Sequence, residues 1–379
     1  FCLSRGLGDV YKRQPPCCIE AMIDPGPGWR ASSPWWLGGD GRGAGHLQTI
    51  WPALFSGRHA GPAPQWHRQR WDTPDGDFID VDHLRPAAAP GGPSGVAGAP
   101  GGTVPSVSVP QAGNRPLLVL FHGLEGSSRS PYALAMADAC LQAGWAFAVP
   151  HFRGCSGEVN RAPRAYHSGD FEEVGWILQR LRKDHSGPLV AVGVSLGGNA
   201  LLRWAQEAGN SARQTVQALA AVSAPLDLMT AGLNLGRGFN RQVYGRMFLR
   251  TMKAKARIKL GQFPGLFDAG RLEAARDLWA FDDVFTGPLH GYAGVADYWT
   301  RASARPRLHE IALPALLLNA RNDPFVPPAC LPDALEVGRH VTLWQPARGG
   351  HVGFAQGAWP GRVTAMPLAV LAWLAAHLT

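Results

Sequence analysis

Only six cysteines occur in the 379 residues, and they show neither zinc-ligand spacing nor the density of a disulfide framework. Charged residues are sparse too, at 17%. The 36 basic residues outnumber the 28 acidic ones, a net charge of +8, but they form no stripe with interleaved aromatics, which argues against a nucleic-acid partner. No uninterrupted apolar stretch is long enough to span a bilayer. No positive, apolar and cleavage regions follow one another as in a secretory signal. A cytoplasmic protein is the expectation. What the chain does have is apolar mass: 46% of it is hydrophobic, enough for one large α/β domain with an insertion.

One short stretch carries the chemistry. Gly193-Val194-Ser195-Leu196-Gly197 reads G-x-S-x-G. The run 188–192 before it is apolar and reads as a buried strand, and 198–208 after it has apolar residues at helical spacing. Strand, sharp turn and helix make the pattern a nucleophile elbow, with Ser195 as the nucleophile. The glycines have a steric purpose, because the serine sits in a strained turn where side chains at 193 and 197 would strike the adjoining strand and helix.

A serine hydroxyl needs a base, and the base needs an orienting acid. The apolar run 313–320 reads as a strand, and Asp323 lies in the loop directly after it. The run 340–345 reads as the next strand, followed by Gly349-Gly350-His351. Ser195, Asp323 and His351 therefore occur in the order found in α/β-hydrolases, the two later residues each beyond a strand end, where open α/β sheets place their chemistry. Asp227 is the reserve acid; Asp282 and Asp283 fall in an inserted region. The oxyanion hole is expected from the N–H of Leu196 and, in the loop after the 117–121 strand, the N–H of Leu124. Small residues after Leu124 would let that loop pass close to Ser195. His122 reads as a structural histidine holding the loop.

The remaining chain fits this frame. Segments 66–71 and 78–84 flank a Pro-Asp-Gly-Asp turn, a hairpin signal. Strands at 117–121, 146–150 and 216–222 alternate with helices near 131–143 and 170–184, and an apolar helix spans 367–378. That alternation predicts a mostly parallel sheet flanked by helices. Expected divisions are a non-native or unstructured leader at 1–21, a hydrolase core at 22–228 with a flexible insertion at 86–115, a helical cap at 229–305 and the rest of the core at 306–379. Within the cap, Arg237, Arg241, Arg246, Arg250, Lys253, Lys255, Arg257 and Lys259 alternate with apolar residues and no acid. That run suggests either a solvated cationic face or a basic amphipathic helix that touches anionic lipid or guides an acyl chain.

Longer stretches support the same frame: H-L-Q-T-I-W-P at 46–52, H-G-L-E-G-S-S-R-S-P-Y at 122–132, H-F-R-G-C-S-G-E-V-N-R at 151–161 and Y-H-S-G-D at 166–170. G-V-S-L-G-G-N at 193–199, F-D-D at 281–283, H-G-Y at 290–292 and G-G-H-V-G-F at 349–354 complete them. Together they resemble the YheT-like family of α/β-hydrolases. The resemblance implies a serine hydrolase of carboxylic esters, of short- or medium-chain acyl esters or monoacylglycerols, with Ser195, Asp323 and His351 as its triad and no metal or organic cofactor. Transfer of the acyl group to an alcohol, or a binding protein on this scaffold, are the alternatives. Glu125, Arg153, Glu158, Asn160, Arg161, Tyr166, His167 and Asp170 are expected to form a polar network bracing the oxyanion loop, with substrate recognition by Arg153 or His167 as the secondary reading. Cys155 reads as a small buried thiol.

Overall fold

The computed structural model describes residues 37–39, 41, 43–86 and 114–378. The expected leader and nearly all of the 86–115 insertion lie outside them. The hairpin forms as read: β1 (Trp66–Asp72) and β2 (Phe78–Leu84) pair antiparallel. Its register sets Arg68 opposite Asp82 and Arg70 opposite Asp80, and both pairs close as ion pairs. Cross-strand charge pairs of this kind fix a register that β1, mostly exposed, could not fix by burial alone.

Six parallel strands follow: β3 (Leu117–Phe121), β4 (Ala146–Pro150), β5 (Leu189–Val194), β6 (Ala218–Val222), β7 (Ala315–Leu318) and β8 (Val341–Trp344). The eight-stranded sheet runs β1-β2-β4-β3-β5-β6-β7-β8. Alternate residues of each central strand enter opposite cores. Leu117, Val119 and Phe121 face one side with helices α3 (Phe171–Asp184) and α4 (Leu196–Ala208). Leu118 and Leu120 face the other with α2 (Pro131–Ala143) and a C-terminal helix. Burial on both faces explains why these strands read as continuous apolar runs. Each fully buried Leu or Val contributes about 1.5–3 kcal/mol to folding.

The chain winds from β3 to β4 on one side, then crosses back to place β5 on the other side of β3. That reversal opens a crevice above the carboxyl ends of β3 and β5, where such sheets bind ligands. Helix α1 (Ala44–Leu54) precedes the hairpin in sequence. Between β6 and β7 the chain makes a helical excursion whose longer members are α5 (Leu228–Leu235), α6 (Arg246–Gln262), α7 (Leu278–Val284) and α8 (Val295–Ala302). These helices bury their own cluster, which includes Leu228, Leu249, Phe281, Val295 and Trp299. The C-terminal helix, α9 (Ala365–Ala375), packs on α2 and β6. No helix among the described residues is long and apolar enough to cross a membrane.

Candidate active site

Ser195 sits at the turn between β5 and α4 with φ 53° and ψ −121°, a conformation that side chains rarely adopt. Such strain costs about 1–3 kcal/mol and is held by its surroundings. The Ser195 N–H donates to Val222 O, and Ser195 O accepts from Gly198 N–H. A Cβ on Gly193 would lie 2.4 Å from Gly197 O, and one on Gly197 would lie 2.4 Å from Phe121 O. Both obstacles are backbone, so neither position tolerates a side chain.

The three residues singled out from the sequence meet. Ser195 Oγ donates to His351 Nε2 at 3.1 Å. His351 Nδ1 donates to Asp323 Oδ2 at 2.9 Å. Asp323, 3% exposed, has its other oxygen occupied by the N–H groups of Phe325 and Val326, at 2.7 and 3.2 Å. Its carboxylate is thereby locked in orientation. The Phe325 ring stacks on the imidazole, with centroids 4.1 Å apart. The other aspartates weighed from the sequence do different work. Asp227 caps α5 through Thr230. Asp283 pairs with Arg271. Asp282 is buried between Thr286 and Trp299, and burial pushes its carboxyl up to about 6.

The residues expected to supply the oxyanion donors both lie on the serine's pocket. Leu196 is the first residue of α4, where N–H groups lack intrahelical partners. It and Leu124 line the same pocket as Ser195 and His351. The close approach expected after Leu124 occurs one residue before it, where a Cβ on Gly123 would lie 3.2 Å from Ser195 Cβ. The Gly123 N–H donates to the Tyr132 hydroxyl. His122 is structural, as read. Its Nδ1 donates to Gly123 O and its Nε2 accepts from Phe152 N–H, and burial drives it down to about 3, so it stays neutral.

The polar network needs correcting. Among the eight residues expected to brace the oxyanion loop, Glu125 and Tyr166 do so, joined twice: Tyr166 Oη accepts from the Glu125 N–H and donates to its carboxylate. The others fasten the 151–170 segment elsewhere. Arg153 pairs with Asp75, Asp77 and Glu173. Asn160 and the Arg161 N–H bind Asp77. Glu158 pairs with Arg70, and Asp170 with Arg164. His167 packs against His290 and is driven down to about 3 by burial. The half-buried Cys155 thiol is raised to about 11, chiefly by desolvation, so it stays protonated near neutral pH.

Three residues that hold the site, Gln48, Thr49 and Asn199, lie in stretches noted in the sequence but receive no role there. Gln48 Oε1, on α1, accepts from Asn322 Nδ2 and Gly349 N–H, bridging the acid and base loops. Thr49 Oγ1 accepts from the His351 N–H at 2.8 Å. Asn199 ties α4 to Ser168, Ala302 and Ala304. Each pairing joins segments distant in sequence, which no local pattern encodes.

Above the serine lies a pocket of about 1130 Å³ of empty space, counted to the solvent at its mouth. The excursion supplies most of its apolar wall through Leu228, Leu235, Phe248, Phe281, Phe285 and Trp299. Glu125, Tyr166, Lys255 and Lys259 form a polar patch in the same wall. The cationic run read as one face is in fact split. Lys255 and Lys259 turn inward, while Arg246, Arg250 and Arg257 are exposed. Among the described residues, no group of three or more His, Cys, Asp or Glu side chains is arranged to hold a metal ion.

A mostly parallel sheet, helices on both faces and a serine elbow above the central strands define an α/β-hydrolase. The family model for the alpha/beta hydrolase fold matches residues 116–358, and the chain belongs to that family. It is 39% identical over 315 residues to "Putative esterase YheT" of Escherichia coli (strain K12), covering 82% of this chain and 84% of that one. It is 30% identical over 257 residues to "Phospholipase ABHD3" of Mus musculus, covering 67% and 62%. It is 27% identical over 263 residues to "Monoacylglycerol lipase" of Saccharomyces cerevisiae, covering 67% and 58%.

Proposed function

We propose that the chain hydrolyses carboxylic esters bearing an apolar acyl group, through an acyl-enzyme on Ser195. The observation that carries this reading is the unbroken line from Ser195 Oγ through His351 to Asp323 at an apolar pocket. His351 Nε2 takes the hydroxyl proton as Oγ attacks the ester carbonyl. Asp323 holds the Nδ1–H tautomer and stabilises the imidazolium. The Leu124 and Leu196 N–H groups receive the oxyanion. His351 then protonates the leaving alcohol, and water repeats the sequence to release the acid.

The helical excursion, 229–305, acts in this proposal as a cap that receives the acyl chain. The names of the relatives, which include an esterase, a phospholipase and a monoacylglycerol lipase, support an acyl ester or monoacylglycerol substrate. Each methylene moved from water to an apolar wall is worth about 0.8 kcal/mol, at most about fourfold in kcat/KM. Turnover of p-nitrophenyl esters should climb with acyl length and then level off once the pocket is filled. A profile flat from acetate to laurate would refute the acyl-pocket assignment. Added ethanol distinguishes the alternative chemistry, since ethyl esters as the main product would make the chain an acyl transferase. A reducing compartment such as the cytoplasm suits Cys140, Cys155 and Cys330, which are free thiols.

The outer side of the cap supports a second proposal, contact with anionic membrane surfaces. At roughly 100° per residue, Arg246, Arg250, Lys253 and Arg257 fall on one stripe of α6. Met247, Ala254 and Ile258, all exposed, form the next stripe. Basic and apolar stripes side by side suit an interfacial helix. Flotation with phosphatidylglycerol vesicles at low salt should recover the protein, and R246E/R250E should weaken that binding at least tenfold, by roughly 1 kcal/mol per charge. Equal recovery with phosphatidylcholine vesicles would count against it.

A further inference from the structure

Helix α6 faces two ways, and its inner face reaches the catalytic machinery. Lys255 Nζ donates to Glu125 Oε1 at 2.7 Å and to Cys155 Sγ at 3.4 Å. One turn further on, Lys259 donates to the carbonyl oxygens of Asn160 and Ala162. Burial acts to lower the Lys255 pKa, but the charge of its neighbours, Glu125 among them, outweighs that and raises it, so the lysine stays cationic.

Glu125 directly follows the proposed oxyanion donor, Leu124. It has φ 58°, in the left-handed region that a non-glycine residue enters only at a cost. Three bonds hold it there: its N–H to Tyr166 Oη, and its carboxylate to both Tyr166 and Lys255. Tyr166 is itself fixed by stacking on Phe152, with centroids 5.4 Å apart and planes 10° off parallel. The upstream end of the same turn is held by Tyr132 on the Gly123 N–H. Between these two anchors lies the peptide that aims the Leu124 N–H, whose own carbonyl, Gly123 O, accepts from His122 Nδ1 and the Gly126 N–H. Only the downstream anchor includes a residue of the cap.

We propose that Lys255 is a positioning residue for the oxyanion hole, acting through Glu125, so that the seating of α6 over the pocket tunes the aim of the Leu124 donor. This rests on the serine-hydrolase reading above. It adds that the cap contributes to turnover as well as to acyl binding. Removing Lys255 leaves the Glu125 carboxylate without its cation and frees the strained residue to relax, which moves a donor without deleting it. The loss should therefore fall short of the roughly 10²–10³ in kcat that follows deletion of an oxyanion donor.

The test is kcat and KM on p-nitrophenyl butyrate for K255M, E125Q, the double variant and K255R, with S195A in parallel and thermal melts on each protein. K255M and E125Q should each lower kcat by about tenfold or more, with KM within about twofold. The double variant should be no worse than the more impaired single one, since both break one connection. K255R should recover most of the loss. A trifluoromethyl ketone, which forms an oxyanion on the serine, should bind K255M more weakly in proportion to kcat. If K255M does not fold, E125Q, which preserves side-chain shape, carries the test. The inference is overturned if the folded variants keep kcat within twofold of wild type, if their losses multiply in the double variant, or if only KM changes. Full activity of S195A would instead remove the reading on which the inference stands.

Discussion

Replacing Ser195 with alanine is expected to lower kcat on a p-nitrophenyl ester by roughly 10⁴–10⁶-fold, about as much as losing the whole triad. The substitution removes one oxygen and little else. The Ser195 N–H still donates to Val222 O, and the carbonyl still accepts from Gly198, so the strained turn remains held. The pocket walls do not depend on the hydroxyl, so KM should stay within about threefold, and any residual rate would come from binding and the oxyanion donors alone. Steady-state kinetics beside a thermal melt checks both halves. A folded S195A protein within tenfold of wild-type turnover would end the acyl-enzyme mechanism.

The Asp323→Asn variant should lose almost as much, roughly 10⁴-fold in kcat, for a reason specific to this site. Asp323 Oδ1 accepts from the Phe325 and Val326 N–H groups. An asparagine must keep its carbonyl oxygen there, because an NH₂ group facing two donors would leave all of them unpaired. Its NH₂ group then faces His351 Nδ1, which is forced to accept. The ring proton moves to Nε2, the atom that must receive the serine proton. Geometry survives while the base is switched off. The pH–rate profile and kcat of D323N, with a ¹⁵N chemical-shift reading of the imidazole tautomer, test this. Near-normal turnover with the proton still on Nδ1 would show that the carboxylate does not set the tautomer.

The strands were legible because burial on both faces of the sheet leaves short apolar runs between loops. Their ends shift by a residue or more, as at β7, read as 313–320 and observed at Ala315–Leu318, because hydrogen bonding rather than hydropathy ends a strand. The elbow was legible because its glycines answer to backbone atoms of the adjoining helix and strand. Lys255 and Lys259 were misassigned to the cationic face because composition, not helical phase, grouped them; at roughly 100° per residue they lie across the helix from Arg246 and Arg250. Arg153 and Asn160 were sent to the wrong partner for a different reason. Their acid, Asp77, sits in the hairpin turn more than seventy residues upstream, and only the tertiary pairing of β2 with β4 brings it near.

The bond from Thr49 to the base loop, and the Gln48 bridge between both loops, bear on where the working unit begins. The family match starts at residue 116, yet a Cβ on Gly353 would lie only 1.9 Å from the Gln48 carbonyl oxygen, so the imidazole loop is moulded onto a helix, Ala44–Leu54, that lies wholly before the matched span. A fragment trimmed to the matched span would retain every triad residue and lose the surface against which one of them is cast.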